Sequence, residues 1–319
     1  MRIALLVCLL SLCFSGCSPA PKNALRIGIN AWPGYEFLTL AEQLGYYTQE
    51  GVEVKIMPFQ TTADTRRAFE KHQIDIVCGT LIEFYVSREA HNVAPVVFMV
   101  SDFSNGGDVL LARKAFTKVA DLKGKKIGLE IGSVDVLTAA NALASAQLSF
   151  ADVNLVALDQ PANIQALLAG EIDAAQTYPP FSTQAQANPD IVRLFDTSQT
   201  PGEIVDVLFA HSAALQERKA EFGKIMRAFQ RAVDYHQAHP EDATRRMAER
   251  ENITPAEFTE ALGGLKIISA QQQAAYLTQG GLAPLLTNTH RALTAIQAIN
   301  GPVCGAECFS DVAIKNTKL

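Results

Sequence analysis

Short apolar runs alternate along most of the chain with stretches whose apolar positions recur every three or four residues. This is the pattern of strands separated by helices. The runs Leu25–Asn30, Val52–Met57, Ile74–Cys78 and Val93–Val100 predict strands, as do Val109–Ala112, Lys126–Glu130, Asn154–Ala157, Ile172–Thr177 and Ile191–Leu194. Between them the helical period covers Glu36–Tyr47, Ala63–Lys71, Leu81–Ala90, Val134–Gln147, Ala162–Ala169 and Pro180–Ala187. After a last strand at Val205–Ala210 the chain reads as helical to Ile299, with breaks at Pro240, Pro255 and Pro284. An α/β fold is the expectation.

The pattern also repeats. "LRIGIN" (Leu25–Asn30) is followed, a helix and a strand later, by "HQIDIVCGT" (His72–Thr80). "GKKIGLE" (Gly124–Glu130) is followed at nearly the same spacing by "AGEIDAAQTYP" (Ala169–Pro179). Each half opens on cation-Ile-Gly-apolar and later sets a turn before Ile-Asp and a strand that ends in threonine. Two α/β lobes on one plan follow, and ligands of open α/β sheets sit beyond the carboxyl ends of the strands. Trp32, the chain's one tryptophan, stands just past the first such end.

Composition narrows the role. The chain has 319 residues, 48% of them hydrophobic, and a formal net charge of −6. It carries no basic run, so nucleic acid is not an expected partner. Arg2, the apolar run Ile3–Leu12 and Phe14-Ser15-Gly16-Cys17 read as a secretory signal over residues 1–16. Small residues ahead of a cysteine resemble a bacterial lipobox, which makes Cys17 a lipidation site and residues 17–23 a tether. Cys78 ends an apolar run and reads as a buried thiol. Cys304 and Cys308, in "CGAEC", read as a local disulfide in an oxidising compartment. A metal site would need two more cysteines or histidines nearby, so no metal is expected.

Five stretches carry a family resemblance: "AWPGYEFLTLAEQLGYY", "QIDIVCGT", "DFSNGGDVLLA", "DLKGKKIGLEIGSVDVLTAANAL" and "GEIDAAQTYPPF". In order and spacing they resemble the periplasmic substrate-binding proteins of ABC importers for nitrate, sulfonate, taurine and thiamine pyrimidine precursors. The resemblance implies a type II periplasmic binding protein fold, two α/β lobes joined by crossover strands with a ligand cleft between them. The crossovers would fall near Asp102–Asp108 and Thr200–Asp206. Lobe 1 would comprise residues 24–103 plus 203–319, and lobe 2 residues 104–202. Hinge closure over a small-molecule ligand would be the mechanism. It further implies a periplasmic, membrane-anchored lipoprotein, monomeric and without a cofactor, that delivers ligand to an ABC permease. The alternative is a periplasmic sensing module that signals to a membrane kinase or cyclase.

Candidate ligand contacts follow the strand ends. Trp32 and Tyr35 are read as stacking surfaces, the alternative being a cap over the lobe core. Glu36 is either a helix N-terminal acid favoured by the macrodipole, by about 0.3–1 kcal/mol, or a carboxylate facing the cleft. Thr61, Thr62 and Thr80 stand at helix starts, as N-caps, ligand contacts or both. Asp102, Ser104, Asn105 and Asp108 belong to the first crossover. Glu130, Ser133 and Val134 form the equivalent strand end and helix start of the second lobe. Tyr178 stands where the family often has a tryptophan.

Glu36, Asp102, Asp108 and Glu130 lie on loops that contain neither Lys nor Arg. A ligand with NH donors or positive charge, sulfonate- or pyrimidine-like, is therefore expected. No G-x-S-x-G, Walker A or H-E-x-x-H motif is present, and the histidines are scattered, so an enzyme is not expected.

Overall fold

The ten predicted runs and one further short segment form eleven strands in a computed structural model, which describes residues 24–90 and 93–317. They are β1 (Leu25–Ile29), β2 (Val54–Pro58), β3 (Ile76–Thr80), β4 (Pro95–Ser104), β5 (Val109–Arg113), β6 (Lys126–Leu129), β7 (Asn154–Ala157), β8 (Ala174–Thr177), β9 (Ile191–Asp196), β10 (Val205–His211) and β11 (Leu265–Ile267). The helices between them are α1 (Glu36–Gln43), α2 (Tyr46–Glu50), α3 (Thr62–Glu70), α4 (Leu81–Arg88), α5 (Val134–Ser145), α6 (Gln160–Ala169) and α7 (Phe181–Gln186). After β10 come α8 (Ser212–Glu217), α9 (Lys219–Ala238), α10 (Pro240–Glu251), α11 (Pro255–Gly263), α12 (Gln273–Leu277), α13 (Leu282–Ala295) and α14 (Val312–Lys315).

The strands divide into a six-stranded sheet, β11-β4-β10-β3-β1-β2, and a five-stranded sheet, β7-β6-β8-β5-β9. In the first, β1 runs parallel to β2 and β3, and β10 lies antiparallel between β3 and β4. In the second, β6 runs parallel to β7 and β8, and β5 lies antiparallel between β8 and β9. The orders β2-β1-β3-β10-β4 and β7-β6-β8-β5-β9 therefore correspond. Each sheet takes its antiparallel strand from chain that has just left the other: β5 follows β4, and β10 follows β9. Residues 105–108 and 197–204 are the two crossings.

The repeated phrases have a shared physical cause. Asp75 accepts the Arg26 backbone N–H at 2.9 Å, and Asp173 accepts that of Lys126 at 3.0 Å. The backbone N–H of each aspartate returns a bond to the carbonyl of the same partner, 2.9 Å in both lobes. The aspartates also hold Arg26 and Arg113 as ion pairs. Gly28 and Gly128 lie where the adjoining helix crosses the sheet. A Cβ at Gly28 would stand 2.8 Å from Thr65 Cγ2 of α3, and one at Gly128 would stand 1.9 Å from Asn163 Oδ1 of α6.

In the second lobe alternate residues of β5 feed two cores. Leu110 and Ala112 pack with Ile127 and Phe195, while Val109 and Leu111 pack with Leu167 and Ile172. The larger core of the first lobe continues across the cleft to Val134, Leu137 and Tyr178.

Three sequence expectations are corrected. The helix expected over Glu36–Tyr47 is divided, because Gly45 adopts φ 71° and starts a second helix. The breaks expected at Pro240 and Pro255 are present, each proline opening a new helix at its first position. Pro284 breaks nothing: it is the third residue of α13, where no intrahelical donor is required, and the break comes before it. The three-residue strand β11 is too short to leave a periodic signal and pairs with β4 from Leu265↔Ser104 to Ile267↔Asp102.

Cys304 and Cys308 are joined, their Cα atoms 5.9 Å apart, and Ser310 N–H bonds Val97 O, which fastens the tail along β4. Cys78 is a buried free thiol. The signal segment, Cys17 and the tether lie outside the described residues, among which no helix is long and apolar enough to cross a membrane.

Candidate functional site

The carboxyl ends of β1 and β3 and the start of α3 face the start of α5 and the end of β8. From the first lobe, Asn30, Trp32, Tyr35, Thr62 and Thr80 line, together with Asp206, a space of which only about 10 Å³ is left free. Asp108 at the crossover, with Val134 and Tyr178 from the second lobe, completes the wall. Ligand clefts usually offer roughly 300–1,000 Å³. Here the aromatic rings themselves occupy the middle: Trp32 meets Tyr178 edge-on with centroids 6.1 Å apart, and Tyr35 lies 6.5 Å from Trp32. Trp32 is 4% exposed and lies so close to Gly107 that a Cβ there would be 2.7 Å from the indole.

The lobes are closed on each other. Thr61 Oγ1 donates to Glu130 Oε1 at 2.7 Å, and the Val134 N–H donates to Glu83 Oε1 at 2.8 Å. At the crossover, Ser104 Oγ and Thr197 Oγ1 are 2.7 Å apart, and the Asp108 N–H donates to Ser104 Oγ at 3.1 Å.

Carboxyl groups dominate the polar surface. Asp102 and Asp206 are register partners on β4 and β10. Trp32 Nε1 donates to Asp102 Oδ1 at 3.1 Å, and the Tyr35 hydroxyl donates to Asp206 Oδ1 at 2.5 Å. Asp108 Oδ2 and Asn30 Oδ1 are buried without a hydrogen-bond partner. Loss of water pushes the carboxyls of Asp102, Asp108 and Glu130 up to about 7, against the smaller effect of their hydrogen bonds. Burial pushes Asp206 well above its ordinary range as well, and the neighbouring Asp102 adds to it. No lysine or arginine lines the enclosed space.

The structure brings Trp32, Tyr35, Thr62, Thr80, Asp108, Val134 and Tyr178 together around this space. Thr61 and Glu130 bridge the lobes beside it, and Asp102 stands behind Trp32. Other expected contacts lie elsewhere. Glu36 does not face the cleft: it is fully buried against Arg250, whose Nε reaches its two oxygens at 2.7 and 2.6 Å, and it accepts the Thr39 hydroxyl. The loops contain no cation, but α10 delivers one from 214 residues away. Ser104 is spent on the crossover, and Asn105 is exposed on a separate open groove with Arg193 and Glu257. The Ser133 hydroxyl caps α5, where it accepts the Asp135 N–H and donates to Glu130 O.

Three residues escaped the sequence reading. Asn30 follows β1 as Thr80 ends β3, a position that could have marked it. Asp206 is an acid in an otherwise apolar strand. Glu83 completes an evident capping box with Thr80, which hid its second role.

Comparisons with known proteins bear on the fold and the family. An ABC transporter periplasmic binding protein of Brachyspira hyodysenteriae is 30% identical over 185 residues, 53% of this chain and 53% of its own length. The chain spans about half the length of the curated relatives it matches. Among solved structures, the alkanesulfonate-binding protein SsuA of Xanthomonas axonopodis pv. citri bound to MOPS has a TM-score of 0.73 at 19% identity, covering 91% of this chain and 99% of that one. A desulfurization enzyme has a TM-score of 0.68 at 16% identity, covering 92% and 99%. The fold is that of the periplasmic binding proteins. A family model described as NMT1/THI5 like matches residues 32–243, and the chain belongs to the NMT1/THI5-like family.

Proposed function

We propose that this chain is the extracytoplasmic solute-binding component of an ABC importer, anchored through Cys17, and that its lobes close over a small molecule bearing NH donors or positive charge. Residues 24–103 with 203–319 and residues 104–202 act as the two bodies that move. One observation carries the ligand class. Asp108 and Asp206 line a space that includes no lysine or arginine, and Asp102 stands behind it, held by Trp32. A bare anion there meets acids and no counter-charge, whereas an ammonium or amino group supplies the donors that Asp108 Oδ2 and Asn30 Oδ1 lack. The faces of Trp32, Tyr35 and Tyr178 suit a flat ring as the ligand's apolar part. The lining holds no serine, cysteine, histidine or lysine, and its acids, Asp108 and Asp206, are read as acceptors for the ligand's donors.

A thermal-shift screen tests the ligand class. Amines and aminopyrimidines are expected to raise the melting temperature. Stabilisation by nitrate or simple alkanesulfonates alone would overturn it.

A further inference from the structure

The N-terminal turn of α5 points its backbone N–H groups at the first lobe, and each of the first three is already bonded. The Asp135 N–H goes to Ser133 Oγ and the Val136 N–H to Ser133 O, both within the turn. The first, from Val134, crosses the cleft to Glu83 Oε1 at 2.8 Å. A helix of twelve residues presents partial positive charge at this end, the place where an incoming anion would be held. Here a carboxylate of the protein stands in that place.

Glu83 is fixed there. Its Oε2 accepts the Thr80 N–H at 2.8 Å and the Thr80 hydroxyl at 2.5 Å, and the side chain is fully buried. Burying a carboxylate is costly unless its oxygens find donors. Two donors come from its own helix start and the third from the other lobe. The arrangement is therefore complete only when the lobes are closed.

We propose that Glu83 is a specificity-determining residue: its carboxylate acts as a built-in anion on the α5 N-terminus and so bars sulfonate and other anionic groups of a ligand from this end of the cleft. The inference rests on the reading of this cleft as the ligand site. It narrows the ligand class from amine-bearing molecules in general to those without an anionic tail directed at α5. The same contact ties α4 to α5, so a ligand that fits must leave it intact.

Titration calorimetry of the full chain with taurine and with isethionate, which carries a neutral hydroxyl where taurine has its ammonium, tests the assignment. Glu83→Ala frees the Val134 N–H and removes the opposing charge, so the affinity for taurine should rise about tenfold or more, the worth of one charge-assisted hydrogen bond. Glu83→Gln keeps the shape and the cap but not the charge, and a smaller gain is expected; it decides the matter if Glu83→Ala does not fold. A gain for taurine well above that for isethionate supports both Glu83's role and the acid-lined amine pocket. Equal gains for both sulfonates support Glu83's role and count against the amine pocket. Folded variants that gain affinity for neither sulfonate overturn the assignment.

Discussion

The position of Trp32 just beyond the first strand was legible in the sequence, but its surroundings were not. The indole is no loop tip. It belongs to the main core, donates to Asp102, and lies against the backbone of Gly107 at the crossover. It thus touches the first lobe, the crossover and, through Tyr178, the second lobe. Trp32→Ala is expected to weaken ligand binding by about 1–3 kcal/mol through loss of a buried aromatic contact. Because Trp32 is the chain's one tryptophan, its emission should also move to longer wavelength when the lobes part and water reaches the ring. An unchanged affinity in folded Trp32→Ala protein, measured by calorimetry, would make the ring a cap and no more. Glu36 shows the limit of reading single residues. An acid on a cation-free loop looks free in sequence, yet Arg250 is brought to it by packing of α10 against α1, which no local pattern encodes.

Elements were read more securely than contacts, because period and burial are written into neighbouring residues. The parallel strands β1 and β3 are buried on both faces and appear as continuous apolar runs. The internal repeat was visible as "IG" and "ID" pairs. Its reason needed the structure: each aspartate anchors the start of the neighbouring strand, and each glycine admits a helix side chain. At Gly128 that side chain cannot retreat, since Asn163 Nδ2 donates to Gly128 O at 3.2 Å and to Gln176 O at 2.8 Å. Gly128→Ala should therefore destabilise the protein by about 1–3 kcal/mol through overpacking. Gly263→Ala, at the end of α11 with nothing within 4 Å of the new methyl, should be neutral or slightly stabilising. Paired thermal melts check the contrast, and equal melting temperatures would remove the packing explanation of the repeat. What the period could not give were short or split elements. β11 has three residues, and the α1–α2 break depends on one backbone angle at Gly45.

Closure couples these parts. Glu130 is removed from water where the lobes meet, with Thr61, Asp64 and Glu83 of the first lobe around it and Arg67 nearby. Asp108, at the crossover, is buried by the same contact of lobes. Burial holds both carboxyls at about 7, against roughly 4 for such groups in water, so under the proposed lobe closure the closed form is expected to carry protons that an open form sheds. The sign follows from that difference. Closure of the ligand-free protein is favoured fully below about pH 4, and the contribution declines as the pH rises toward about 7. A cationic ligand replaces those protons, so its affinity should increase over the same interval, with protons released on binding. Small-angle scattering of the ligand-free chain should give a larger radius of gyration at about pH 8 than at about pH 5. Glu130→Gln, which keeps an acceptor for Thr61 and cannot ionise, should reduce the change. A stabilising amine should restore the compact form at the higher pH. A radius that is the same at both pH values would mean that these carboxyls do not control the hinge, and closure would then rest on the apolar contact of Trp32, Val134 and Tyr178 alone.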